Sequence, residues 1–298
     1  MDESDWVRLI DQLTTGECTF LGAGACYGTL PTGNQLSVEW AAKHDYPFLD
    51  TGNLPRVMQY AAATLKDATT LKQQVCRHLE ARGHPDFGHP HEIHAFLARF
   101  PIPVFFTTNY DDFLIRALRA QGKDPISAIF PWYTGGRQEE EEFRRAARVS
   151  PHPDRPLVYH FHGSLRLPAS LVLTEDDYLQ FLMHMSAHRP KNSWQSVPPA
   201  ITDALANRPL LFIGYSLQDW TFRVLFHGLT RNYPAIHRRR HVSVQLAPPR
   251  KGLKPGSTKQ AKEYLHRYFD KWDISIHWEK VDRFCAELQR RIAAGVAP

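Results

Sequence analysis

Short unbroken apolar stretches recur along this chain, each stopping on polar or glycine-rich residues and each followed by a segment with helical spacing. "VFFTTNYDDFLIRAL" shows the pattern: an apolar run closes at Thr107, Thr108, Asn109, Tyr110 and Asp111, and an apolar helical stripe begins at once. "CTFLGAG", "LVYHFHGS", "SLVLT", "RPLLFIGYS", "HVSVQLA" and "ISIHWEK" read as further strands. Between them lie helical patterns such as "TGNQLSVEWAAKH", "EDDYLQFLMHM" behind Thr174, and "DWTFRVLFHGL". Strands apolar on both faces and separated by helices belong to a parallel sheet covered on both sides. The expected class is therefore α/β, a Rossmann-like parallel sheet of five or six short strands with helices on both faces. A first helix carries Trp6, Leu9, Ile10 and Leu13 at helical spacing behind Ser4 and Asp5. From Val57 to Leu79 one apolar stripe continues into Ile93, Phe96, Leu97 and Phe100, which predicts a helical insertion over about 55–100.

Of the 298 residues, 43% are hydrophobic and 22% charged, an ordinary globular balance. Neither a repeat nor a domain linker interrupts the chain, so a single domain over 1–298 is expected. Four cysteines, at 18, 26, 76 and 285, form no CxxC pair, which excludes a four-thiolate zinc module and a readable disulfide framework. The acidic start "MDESDWVRLI" is unlike a secretory signal, and no apolar run approaches membrane-spanning length. A cytoplasmic protein with no membrane association is expected. The net charge of +5 gathers late, in "HRRRH" and "PPRKGLKPGSTKQAK", and reads as a solvated loop.

In a parallel α/β sheet, ligands bind beyond the carboxyl ends of the strands, where strand order reverses. Four strands end in residues suited to ligand binding, namely "GAGACYG", "TTNYDD", "HFHGS" and "GYSLQDW". Glycines let backbone approach a phosphate, and the amides of the following turn bind its charge. His160 and His162 share metal-ligand spacing, but no third ligand follows at a recognisable distance, and no metal is expected. The histidines of "GHPDFGHPHEIH" read as surface residues of a turn and helix start. His160 reads as a partly buried strand residue, and Cys26 as a small residue that packs against a ligand and is not a nucleophile.

These four segments, in this order, resemble the sirtuin-like NAD-binding fold, and within it the NAD-degrading branch of bacterial antiphage defence. The likeness rests on Gly22-Ala23-Gly24-Ala25 with "GTLP" after it, Thr107-Thr108-Asn109-Tyr110-Asp111, His162-Gly163-Ser164 and Gly214-Tyr215-Ser216-Leu217. "LVLTEDDYLQF" after the His-Gly pair is characteristic of that branch. Two departures from deacetylating sirtuins matter. The paired-cysteine zinc module is missing, and Cys26 replaces the serine of the first motif with no Ile-Pro-Asp-Phe-Arg run behind it. The machinery for NAD itself survives.

The resemblance implies that Asn109 and His162 are catalytic, and that Gly22, Ala23, Gly24, Ala25, Cys26, Thr108, Asp111, Gly214, Tyr215 and Ser216 hold NAD, with Asp111 on the nicotinamide or ribose side. Cleavage of the nicotinamide–ribose bond passes through an oxocarbenium-like state. An amide can hold a ribose hydroxyl or water without titrating, and a neutral imidazole can accept a proton. The expected function is an NAD glycohydrolase releasing nicotinamide and ADP-ribose, an NAD-depleting effector. The alternatives are a zinc-free deacylase or ADP-ribosyl transferase, and a noncatalytic NAD or ADP-ribose sensor. Because little length remains for a fused sensor, the chain is expected to form a homo-oligomer and to work with a separate partner, a DNA-translocase-type ATPase or an Argonaute-like protein at family level.

Overall fold

The computed structural model describes residues 1–17, 19–133, 148–186, 197–214, 240–246 and 257–295, together with 141 and 144. Its centre is a seven-stranded sheet in the order β3-β4-β2-β1-β5-β6-β7. The strands are β1 (Thr19–Leu21), β2 (Val104–Thr107), β3 (Ile126–Ile129), β4 (Leu157–His160), β5 (Leu211–Ile213), β6 (His241–Gln245) and β7 (Ile274–Trp278). Every pairing is parallel. The chain builds β2, β3 and β4 to one side of β1, then crosses to build β5, β6 and β7 on the other. The carboxyl edge of β1 is thus the reversal point at which such sheets bind ligands.

Successive side chains of a strand face opposite ways, so a sheet covered twice needs apolar residues at every position. In β2, Phe105 packs with Trp6, Leu9, Phe96 and Phe284 on one face, and Phe106 with Phe161, Phe181 and Phe212 on the other. Both rings are fully buried, each worth roughly 1.5–3 kcal/mol of apolar burial. The first face is covered by α1 (Glu3–Thr14), α5 (Ile93–Ala98), α6 (Phe113–Ala120) and α10 (Val281–Ala293), the second by α7 (Glu175–Ser186), α8 (Pro199–Asn207) and α9 (Ser257–Asp270). No described helix is long and apolar enough to cross a membrane. Cys26, Cys76 and Cys285 are free and buried.

The insertion is built from α2 (Gly33–Lys43), α3 (Leu54–Leu65) and α4 (Ala68–Glu80), which share a third core around Trp40, Val57, Met58, Leu71 and Val75. The single stripe read from 57 to 79 is two helices. Lys66 takes a left-handed conformation with φ 54° and ends α3, and the Asp67 side chain accepts from the Thr69 N–H to start α4. Ile93, Phe96 and Leu97 of α5 leave this insertion and pack under the sheet.

Two strand expectations are corrected. "ISAI", Ile126–Ile129, is a strand that the sequence pattern does not reveal, because an edge strand half buried at its start carries no long apolar run. "SLVLT" is not a strand. Pro168–Ser170 form a 3-10 turn, and the residues after it satisfy their backbone through side chains: Leu173 and Thr174 N–H donate to Asp177 Oδ2, and Val172 O accepts from the Tyr110 hydroxyl. The helix expected in "DWTFRVLFHGL" and most of the basic late segments lie outside the described residues.

Candidate functional site

The parallel register brings the polar strand ends level with one another. Thr107 of β2 pairs with His160 of β4, and Leu21 of β1 pairs with both Thr107 and Ile213. Asn109 and His162 therefore each lie two residues past a paired position on neighbouring strands, both beyond the carboxyl edge. Gly22 follows β1 there, its N–H donating to Ile213 O at 2.8 Å, and Ala23–Cys26 turn as a 3-10 helix. Gly214 ends β5 with φ 78° at the same edge. Tyr215 and Ser216 lie outside the described residues.

Asn109 is held by its backbone. Its N–H donates to Thr107 Oγ1 at 2.9 Å, and its carbonyl is 3.2 Å from His160 Nδ1. The side-chain Nδ2 donates to Cys26 Sγ at 2.9 Å, while Oδ1 is buried and has no hydrogen-bond partner among the described residues. Asp111 does two things at once. Its Oδ1 accepts from the Phe113 N–H at the start of α6, and its Oδ2 accepts from the Cys26 thiol at 3.1 Å. Thr108 is half buried between them.

His162 is enclosed by aromatic edges, with ring centroids 5.5 Å from Tyr178 and 5.0 Å from Phe181. Its carbonyl accepts from Val172 N–H, and its Nε2 is buried without a partner among the described residues. Burial holds its pKa down at about 3, so the ring is neutral near pH 7. Gly163 behind it has φ 90°, and a Cβ there would meet Ser170 O at 2.2 Å, so only glycine lets the strand end turn this tightly. His160 is fully buried, not partly as read from the sequence, and burial lowers its pKa despite the Asn109 carbonyl that favours its proton.

One member of the site carries no clear mark in the sequence. His94, expected in a surface turn, is 1% exposed, and its Nε2 lies 3.9 Å from Cys26 Sγ. Glu92 caps α5 by accepting from Ala95 N–H, and its other oxygen is 2.6 Å from His94 Nδ1. Burial pushes the Glu92 carboxyl up, but the His94 contacts and the Ala95 N–H outweigh it and hold it below its ordinary value. Burial, then the charge of Asp111, pushes the Cys26 thiol well up, so it is a protonated thiol and not a ready nucleophile. Of the other three histidines of that segment, His84 and His89 are exposed as expected, and His91 is half-buried. The only sequence signal for His94 was its place at the start of an apolar helix, on the buried side of Ile93, Phe96 and Leu97.

Residues 103–276, more than half of the chain, match the SIR2-like domain. The chain belongs to the SIR2-like family. Within that stretch fall Thr108, Asn109, Asp111, His162 and Gly214; the glycine turn at Gly22–Cys26 lies before it. Similar curated proteins include the NAD(+) hydrolase ThsA of Bacillus cereus (strain MSX-D12), 27% identical over 154 residues, which are 52% of this chain and 28% of that protein. The NAD(+) hydrolase ThsA of Enterococcus faecium is 28% identical over 137 residues, 45% of this chain and 24% of that one. That of Cytobacillus dafuensis is 30% identical over 128 residues, 43% and 22%. This SIR2-like chain thus spans less than a third of the length of these relatives.

Proposed function

We propose that this SIR2-like domain cleaves NAD at the nicotinamide–ribose bond as a glycohydrolase, with Asn109 and His162 as its catalytic residues. The observation that carries the reading is a pair of buried atoms without partners among the described residues, Asn109 Oδ1 and His162 Nε2, at the ends of neighbouring strands beside the reversal point. Buried polar atoms are almost always satisfied; His160 Nε2 at the end of β4 is a third such atom at this edge, and a cluster of them suits a ligand with hydroxyl groups. The similar proteins named NAD(+) hydrolase support the same substrate.

In this reading Gly22, Ala23, Gly24, Ala25 and Cys26, with Gly214, Tyr215 and Ser216, receive the dinucleotide, and Thr108 and Asp111 flank the nicotinamide ribose. Asn109 Oδ1 accepts from a ribose hydroxyl or the attacking water. As nicotinamide leaves with the bonding electron pair, water adds to the ribose carbon and its proton passes to the neutral His162. A base near pKa 3 is weak at neutral pH. The neutral ring therefore accepts a hydrogen bond from the water and takes its proton only as the oxygen bonds to the oxocarbenium-like carbon, which makes that proton far more acidic.

An NAD-depleting role in antiphage defence, self-association, cytoplasmic location and a triggering partner such as a DNA-translocase-type ATPase or an Argonaute-like protein belong to the same proposal, on the family resemblance alone. The test is to incubate the purified chain with NAD, alone and with the product of its neighbouring gene, and to follow nicotinamide and ADP-ribose by chromatography. Equal amounts of the two products support hydrolysis. Tight NAD binding without either product, in both conditions, would replace the enzyme by a sensor.

A further inference from the structure

Cys26, His94 and Asp111 aim three different donor types at one buried point. The sulfur is 3.1 Å from Asp111 Oδ2 and 3.9 Å from His94 Nε2, and one donor atom from each residue lies within 4.8 Å of the others. Around a tetrahedral Zn²⁺, with bonds of about 2.3 Å to sulfur and about 2.0 Å to nitrogen or oxygen, neighbouring donors stand roughly 3.5 Å apart. The two distances from the sulfur bracket that spacing.

The surroundings are those of a ligand set. Glu92 Oε1 lies 2.6 Å from His94 Nδ1, placed to accept its hydrogen bond when Nε2 binds a metal, the support that metal-bound imidazoles commonly have. The Asn109 amide donates to the sulfur and would stabilise a thiolate. All three donors are buried, at 3%, 1% and 8% exposure. A divalent cation with one thiolate and one carboxylate is a neutral unit, which removes the cost of burying an unpaired charge.

We propose that Cys26 Sγ, His94 Nε2 and Asp111 Oδ2 bind one divalent cation of zinc type, with a fourth position open, and that the bound ion competes with NAD. On binding, the Cys26 thiol gives its proton to solvent and the ion takes the freed pair, so affinity rises with pH. The ion engages Asp111 directly and pins the Asn109 amide through the sulfur. The competition, though not the metal site, rests on the NAD reading above. This set is distinct from the His160/His162 pair and draws on none of its nitrogens.

The experiment is titration of the full chain, freed of metal by a chelator, with Co²⁺ alone. One equivalent should produce a thiolate-to-cobalt charge-transfer band in the near ultraviolet, and Zn²⁺ should abolish it. Cys26→Ser should remove the band, and His94→Ala should weaken binding at least tenfold, with circular dichroism confirming that both variants fold. Cys76→Ser, a buried thiol outside the cluster, should keep the band. A folded wild-type chain that gives no band, or a Cys26→Ser variant that keeps it, overturns the site. NAD should raise the apparent dissociation constant for Co²⁺, and metal affinity indifferent to saturating NAD overturns the competition. If the chain binds Co²⁺ through Cys26 but neither binds nor cleaves NAD, the glycohydrolase reading fails while the metal site stands.

Discussion

His160 Nδ1 lies 3.2 Å from the backbone carbonyl of Asn109, tying the end of β4 to the turn that follows β2. From the sequence, His160 is one step back from the edge and matters to stability more than to turnover. The contact changes that expectation. Removing the imidazole leaves a buried carbonyl without its donor, at a cost of about 1–3 kcal/mol, and loosens the turn that aims Asn109. We expect His160→Ala to lower both the unfolding midpoint and NAD cleavage. Unchanged kcat in a variant that is measurably less stable would show that the turn is held by Thr107 alone.

Gly163 and Gly122 make a matched pair. Both have positive φ, 90° and 76°, but a Cβ at Gly163 would strike Ser170 O, while one at Gly122 meets nothing within 4 Å. Gly122→Ala should cost about 1 kcal/mol of backbone strain. Gly163→Ala should cost several times as much, or prevent folding. Denaturant midpoints of equal size in the two variants would contradict the close approach.

Lys72 of the insertion and Asp177 of α7 form a buried ion pair at 2.7 Å, and Asp177 Oδ2 holds the N–H groups of Leu173 and Thr174. Val172 of that segment donates to the His162 carbonyl. The insertion is thereby coupled to the strand end that carries His162. Lys72→Met leaves a buried carboxylate without its cation and should destabilise by about 3–5 kcal/mol. Urea denaturation reads the effect.

The depressed pKa of His162 sets a pH dependence. Its ring is neutral when folded down to about pH 3 and charges near pH 6.5 when unfolded, so the unfolded chain binds more protons between those limits. Stability contributed by this residue is full above pH 6.5 and falls as pH drops, by about 2 kcal/mol at pH 5. His162→Gln, which cannot titrate, should flatten the loss between pH 7 and pH 5. Identical slopes for the two proteins would contradict the neutral, desolvated ring.

Much of this was legible in the sequence because the sheet is doubly covered. Runs such as "VFFT" and "LVYH" must be apolar at every position, and their polar ends mark the carboxyl edge directly. The edge strand Ile126–Ile129 was hidden because it has one neighbouring strand and a half-buried start. "SLVLT" misled because burial and β-branching look the same in a strand and in an extended segment whose N–H groups are held by Asp177. His94 was hidden for another reason. Only the fold brings residue 94 against residues 26 and 111, and a histidine among surface histidines carries no local sign of that meeting. Asn109 and His162 stood out because they close strands, yet the sequence could not show that Asn109 is gripped by Cys26 and His160.

The central claim is that Asn109 and His162 act together on the nicotinamide ribose, and release of nicotinamide from NAD by the wild-type chain and by Asn109→Ala and His162→Ala tests it most directly. The account predicts that each variant still binds NAD but releases nicotinamide roughly a hundredfold or more slowly, the scale for loss of a positioned polar or acid-base group. Variants that cleave NAD as fast as the wild type under conditions where the wild type is active would place the chemistry elsewhere and contradict it.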